Sequence, residues 1–275
     1  EKPFLLSLQF KAPHHDYGHA NRYNSLLNGV TIPEPPTLYE NVRNSDSKLK
    51  NLFLRRTKFH MLHSGKESKL NGKYGANYYS RHLKDPAPNE MDKLREQSDN
   101  EKIRVAYQHM IRKYVRCAKG NDDNLKRVLD FLDKENLKED TVVIYTSDQG
   151  YWLGQHGFYD KRLILETSIR MPFIMRYPRL IKAGTVSEDL CINIDLAPTI
   201  LELAGLNPPE TMQGKSLLPI LQGKKNKKWR NSQFYSYWGA PNHYGIRTSR
   251  FTFVKVFGDS PTTELYDRKI DPNQK

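Results

Sequence analysis

Thr141-Val142-Val143-Ile144-Tyr145-Thr146, followed at once by Ser147-Asp148-Gln149-Gly150, is the stretch from which the fold of this 275-residue chain is read. Its first six residues are a continuous run of β-branched and aromatic side chains, the pattern of a strand buried on both faces of a parallel sheet. Upstream, Ile103, Tyr107, Met110, Ile111 and Tyr114 recur at helical spacing, and Leu125, Val128, Leu129 and Leu132 continue it past Gly120. One long helix, or two, therefore runs to about Asn136. A helix of that length feeding such a strand is half of a βαβ unit. Residues 4–10 and 172–177 read as further apolar strands, and residues 195–204 as a short helix with Asp195 as N-cap and Gly205 as stop. Beyond a basic linker at 224–230, residues 233–238, 244–248 and 251–257 read as an antiparallel meander closing on Glu264-Leu265-Tyr266-Asp267. The expected class is α/β, with a mixed, largely parallel central sheet flanked by helices and a small antiparallel C-terminal subdomain.

Lys plus Arg number 44 and Asp plus Glu 31, giving a net charge of +13. This excess points to an anionic partner: a nucleic acid, an acidic lipid, or an acidic small molecule or glycan. No helix-turn-helix, zinc pattern or aromatic RNP-like motif is present, which argues against nucleic acid. No apolar run approaches the ~18 residues that span a bilayer. Cys117 and Cys191 fit no metal-ligand or CxxC spacing and read either as two buried thiols or as one disulfide. Residues 11–60 and 61–100 are Pro-, Gly- and Asn-rich irregular stretches, and the Tyr-rich piece 74–79 is a candidate substrate-facing surface with a packed loop as its alternative.

In open α/β sheets ligands collect at the carboxyl ends of strands. After residues 4–10 come Lys11, Ala12, Pro13 and His14; after 141–146 come Asp148 and Gln149, then Gly154-Gln155-His156-Gly157 and Asp160-Lys161-Arg162. A carboxylate and an amide oxygen in succession suit Ca²⁺ or Mg²⁺. Lys161 offers a point charge for an anion, and the imidazole of His14 can protonate a departing alkoxide near neutral pH. Taken singly, each residue has an alternative as a turn, a solvated cation or a structural histidine.

Several segments, in order, resemble the type I, formylglycine-dependent sulfatases of the alkaline phosphatase-like superfamily. Phe10-Lys11-Ala12-Pro13-His14 is similar to their F-K-A-P-H segment. Residues 146–162, with Thr146-Ser147-Asp148-Gln149-Gly150 and Leu153-Gly154-Gln155-His156-Gly157, resemble their metal-pair segment and the loop to its lysine. Arg170-Met171-Pro172-Phe173, Asp195-Leu196-Ala197-Pro198-Thr199, Gln213-Gly214-Lys215-Ser216-Leu217, Gly245-Ile246-Arg247-Thr248 and Glu264-Leu265-Tyr266-Asp267 resemble later family elements. The resemblance covers residues 1–16 and about 100–275 and implies a sulfate-ester hydrolase. It implies Asp148 and Gln149 as metal ligands, Lys161 as a sulfate contact, and His14 as a sulfate contact and leaving-group acid. Lys11, His156, His243 and Arg247 are candidate substrate contacts, His156 with a structural place in its loop and Arg247 with a structural ion pair as the alternatives. The implied cofactors are Ca²⁺ or Mg²⁺ and a formylglycine, the implied substrate is a sulfated small molecule or glycan, and the implied location is periplasmic or secreted.

No C-x-P-S-R or S-x-P-S-R segment surrounds Cys117, Cys191 or Ser80-Arg81, and neither the family's paired aspartates nor its G-K-W-H segment is present. All of these precede F-K-A-P-H in the family. The expectation is an N-terminally truncated chain, inactive by itself, with the nucleophile outside it. Residues 1–222 are expected to be the later part of the catalytic domain and 223–275 an incomplete C-terminal subdomain. Two alternatives stand: a phosphodiesterase or phosphonate hydrolase of the same superfamily, and a non-catalytic module that binds an anionic polymer.

Overall fold

The computed structural model describes residues 3–14, 17–56, 60–61, 98–224, 228–239, 241–258 and 261–275. The Tyr-rich piece 74–79 and Ser80-Arg81 lie outside them. The chain divides into two compact units: one made of residues 1–40, 58–135 and 153–160, the other of 41–57, 136–152 and 161–275.

The first unit is built on one helix. After helix α1 (Lys48–Arg56), which belongs to the second unit, comes α2 (Asp99–Lys134), 36 residues long. Ser98 caps α2 by accepting the Glu101 N–H, and Asp99 and Glu101 sit in its first turn, where the helix dipole favours negative charge. Ile103, Ala106, Tyr107, Met110, Ile111 and Cys117 are buried along it. Gly120 does not break it. A Cβ there would meet the Tyr23 ring at 3.4 Å, an ordinary contact distance.

That irregular loop finds its backbone partners on the helix side chains rather than in a sheet. The Gln108 amide accepts the Ile32 N–H at 3.0 Å and donates to the Ile32 carbonyl at 2.7 Å. Tyr107 donates to the Pro33 carbonyl at 2.5 Å, and Tyr23 to Asp123 at 2.6 Å. A segment without ladder bonds stays ordered because these polar groups satisfy it.

In the second unit, β1 (Val143–Thr146) pairs with β4 (Phe173–Arg176). The pairing is antiparallel, Val143 opposite Arg176 and Thr146 opposite Phe173. An antiparallel pair has a place in a mixed sheet, and no parallel pair occurs among the described residues; β1 is only half-buried along its length. A β-branched run reports strand propensity and burial but carries no sign of its neighbour's direction. Residues 4–10 form no strand among the described residues and are exposed, Leu5 at 81 %.

The four-stranded meander is present: β5 (Ser232–Tyr237), β6 (His243–Thr248), β7 (Phe251–Val256) and β8 (Thr262–Asp267), all antiparallel in that order. Thr252, Val254 and Val256 on β7 are buried while Phe251 and Phe253 point outward, the two-residue alternation of a one-sided sheet. Register places Phe234, Ile246, Phe253 and Leu265 in one row across its exposed face. Helix α1 is tied to β8 through Glu264, which accepts from Ser47 at 2.9 Å and from the Leu49 N–H at 2.7 Å.

Short pieces fill the rest: β2 (Trp152–Leu153), β3 (Tyr159–Asp160), α3 (Glu166–Ile169), α4 (Leu196–Leu203) and α5 (Leu218–Leu221). Asp195 does precede α4, but its carboxylate does not cap it. Gly205 ends the helix at φ 77°, with the Leu206 N–H returning to the Leu201 carbonyl at 2.9 Å, as a left-handed terminator does.

Candidate active site

The loop leaving β1 is held by contact with α3. A Cβ at Gly150 would lie 2.3 Å from the Thr167 carbonyl oxygen and 2.6 Å from that of Arg170, so only glycine allows this approach. Asp148 and Gln149 therefore stand on a turn pressed against α3, Asp148 exposed and accepting the Ser147 hydroxyl at 3.2 Å. The segment that begins at Lys161 is pinned to the same helix, since the Arg162 N–H donates to the Ser168 hydroxyl at 2.8 Å. Lys161 thereby lies beside the Asp148-Gln149 turn, its Nζ 5.8 Å from the centre of the Tyr151 ring. Arg162 is held further by Tyr235, which donates to its carbonyl at 2.8 Å.

Asp148 and Gln149 supply hard oxygen donors, the chemistry that Ca²⁺ or Mg²⁺ requires. Two such residues fill only part of a shell of about 6–8 oxygens around Ca²⁺. No group of three or more His, Cys, Asp or Glu side chains suited to a metal occurs among the described residues.

In the first unit, Lys11 and His14 share a turn: the Lys11 carbonyl accepts the His14 N–H at 2.9 Å. Asn121 of α2 anchors that turn by donating to the Ala12 carbonyl at 2.8 Å, leaving both Lys11 and His14 exposed. His156, by contrast, is 2 % exposed; its Nδ1 lies 2.7 Å from a Glu40 carboxylate oxygen and its N–H donates to the Thr37 hydroxyl at 3.0 Å. The glycine that follows it is needed, since a Cβ at Gly157 would meet the His60 ring at 2.3 Å.

His243 and Arg247 are both committed inside the second unit. His243 is buried, with Nδ1 2.7 Å from the Pro241 carbonyl and Nε2 accepting the Ile164 N–H at 3.2 Å. Arg247 makes a two-point pair with Glu166, each N–H donating at 3.0 Å. Glu166 also pairs with Arg268 at 3.1 Å, and its N–H donates to Gln274 at 2.6 Å. Sequence reading missed Glu166, Ser168 and Tyr151, the residues that assemble this region; Glu166 and Arg247 are 81 positions apart, and no local pattern links them. Both cysteines are free, and burial pushes the Cys191 thiol up to about 11, far from a reactive thiolate.

Burial holds His243 neutral by lowering its pKa below the ordinary 6.5. The unfolded chain then binds the proton first, so stability is unaffected above about pH 6.5 and falls as pH drops below it toward the folded value. The melting temperature is expected to fall between pH 7 and pH 5, and less so in His243→Gln, whose amide oxygen still accepts the Ile164 N–H. Equal falls in both proteins would refute this assignment.

Asp148, Gln149 and Lys161 thus bring a carboxylate, an amide oxygen and an ammonium together near α3 in the second unit. The Sulfatase family pattern matches residues 1–206, and the chain belongs to the sulfatase family. A second pattern, N-sulphoglucosamine sulphohydrolase, C-terminal, matches residues 154–275. The chain is 33 % identical to an N-acetylglucosamine-6-O-sulfatase of Bacteroides thetaiotaomicron over 99 % of its own length and 53 % of that protein's. It is 41 % identical to human N-acetylglucosamine-6-sulfatase over 43 % of itself and 22 % of the human protein. The solved structure of BT4656 in complex with its substrate D-glucosamine-2-N,6-O-disulfate superposes with a TM-score of 0.76 at 30 % identity, covering 96 % of this chain and 58 % of that one. A phosphonate monoester hydrolase from Silicibacter pomeroyi, TM-score 0.71 at 22 % identity over 94 % of this chain and 48 % of its own, shares the fold alone. The chain thus spans about half the length of these first relatives.

Proposed function

We propose that this chain is part of a sulfatase that removes a sulfate ester from a sulfated amino sugar, the 6-O-sulfate of a glucosamine unit being the first substrate to test. The observation that carries the reading is the joint anchoring on α3 of the Asp148-Gln149 turn and of Arg162, the neighbour of Lys161. The relatives acting on N-acetylglucosamine 6-sulfates and the disulfated glucosamine bound by a structural neighbour support the sugar.

In this reading Asp148 and Gln149 hold a hard divalent cation, Ca²⁺ or Mg²⁺, whose remaining ligands come from outside the described residues. Such a cation, when bound, withdraws charge from sulfuryl oxygens. Lys161 opposes the same negative charge with its ammonium, and His14 delivers a proton to the departing sugar oxygen. The nucleophile, a formylglycine formed from Cys or Ser, lies outside these 275 residues. Residues 4–10, apolar and exposed, are read as a strand of a larger, mainly parallel sheet completed by further chain.

The test is sulfate release by the whole protein from 6-O-sulfated N-acetylglucosamine, measured beside an aryl phosphonate monoester. Sulfate release well above phosphonate cleavage is expected, and none from the 275 residues alone. Preferential phosphonate cleavage would establish the superfamily alternative instead.

A further inference from the structure

Residues 102–121 of α2 hold six cations, Lys102, Arg104, Arg112, Lys113, Arg116 and Lys119, and no Asp or Glu. His109, Arg112, Lys113 and Arg116 fall at i, i+3, i+4 and i+7, one stripe of the helix. With Asn28 and Gly29 they line a pocket of about 290 Å³ within the first unit. No carboxylate lines it, and none among the described residues makes an ion pair with Arg112, Lys113 or Arg116.

The cationic groups are held in place by the loop they face. Arg112 donates to the Val30 carbonyl at 2.9 Å, and Arg116 to the Leu26 carbonyl at 3.0 Å and to the Asn28 amide oxygen at 2.8 Å. Neutral acceptors leave the guanidinium charges uncompensated. The Arg112 Nε is buried with no hydrogen-bond partner. Burial and the neighbouring Arg112 charge both disfavour protonation of Arg116, the mark of like charges crowded together. Natural structures rarely leave a buried donor unmet, and an oxyanion satisfies both the donor and the charge.

We propose that this pocket is a second anion site, one that holds a sulfo group of a sulfated saccharide away from the catalytic residues. The choice of a sulfo group rests on the sulfated-sugar reading above; the anion site itself rests on the pocket. None of the residues that line it is among those assigned to the chemistry.

The test is calorimetric titration of the full chain with a heparin-derived hexasaccharide and with its fully desulfated counterpart. Arg112→Gln/Lys113→Gln, which removes two charges from the pocket, is expected to weaken binding about 10-fold. A control of equal charge loss on exposed residues, Lys182→Gln/Lys224→Gln, is expected to bind within 2-fold of wild type. Because Arg112 also holds Val30, Lys113→Gln alone serves as the variant with no loop bond to lose, and a smaller drop of about 3-fold is expected. In the whole protein the double variant is expected to hydrolyse a small aryl sulfate at the wild-type rate. Equal weakening by the control, or equal binding of the desulfated sugar, overturns the proposal. So does loss of all hexasaccharide binding in Lys161→Ala, which places the sugar at the catalytic residues only. Sulfo-dependent binding at this pocket in a protein that releases no sulfate would sustain the site and refute the activity.

Discussion

Asp195→Ala is expected to cost about 3–5 kcal/mol of folding stability, the range for removing one partner of a buried ion pair. Asp195 is fully buried, and both its oxygens meet the Arg230 guanidinium, at 2.7 Å and 2.5 Å. The same oxygens accept the Ile192 N–H at 2.9 Å and the Lys215 N–H at 2.8 Å. Alanine strands a largely buried guanidinium and two amides at once. The neighbouring chain cannot move in to compensate, because a Cβ at Gly214 would already lie 2.0 Å from the Ile194 carbonyl oxygen. Chemical denaturation of the variant checks the figure. A loss under about 1 kcal/mol would place Asp195 in the range of exposed pairs and contradict its assignment as the clamp of this unit. Arg230→Met, which removes the stranded cation, is expected to recover part of the loss in the double variant.

Lys161→Ala in the whole protein is expected to lower kcat/KM for sulfate release by about 10²-fold or more, the scale for removing one preorganised positive group from a charged transition state. The melting temperature should hardly move, because Lys161 is half-exposed and its ring contact with Tyr151 is worth little at such a site. Lys161→Arg keeps the charge but spreads it over a plane, and partial activity is expected. His14→Ala should cost a similar ~10²-fold on a sugar sulfate and much less on a nitrophenyl sulfate, whose leaving group needs no proton. Equal losses on both substrates would remove His14 from the role of proton donor, and wild-type rates in both variants would remove this whole site from the reaction.

The proximity of Asp148, Gln149 and Lys161 was legible because it is local. Asp148, Gln149 and Lys161 lie within one short stretch, and a loop following a strand keeps its residues near each other whatever surrounds it. The meander of β5 to β8 was legible too, since short alternating strands joined by tight turns pair with their neighbours in sequence. Arg247 and His243 show the opposite case. Both sit in a segment whose pattern resembles the family, yet Arg247 is spent on Glu166 and His243 on the Ile164 N–H and the Pro241 carbonyl.

The amino-acid sequence by itself determined the family and the order of the elements, and it singled out the Asp148-Gln149 turn and Lys161 as candidates, because each is written in contiguous residues with their own spacing. Tertiary structure alone decided that β1 meets β4 antiparallel and that Asp195 clamps Arg230 rather than capping a helix. It alone decided that α3 anchors both Gly150 and Arg162, and that Arg112, Lys113 and Arg116 of α2 line a pocket without carboxylates. These depend on which distant segments are brought within hydrogen-bond or Coulomb range. Side-chain chemistry is local in sequence, while burial and partnership belong to the packed chain.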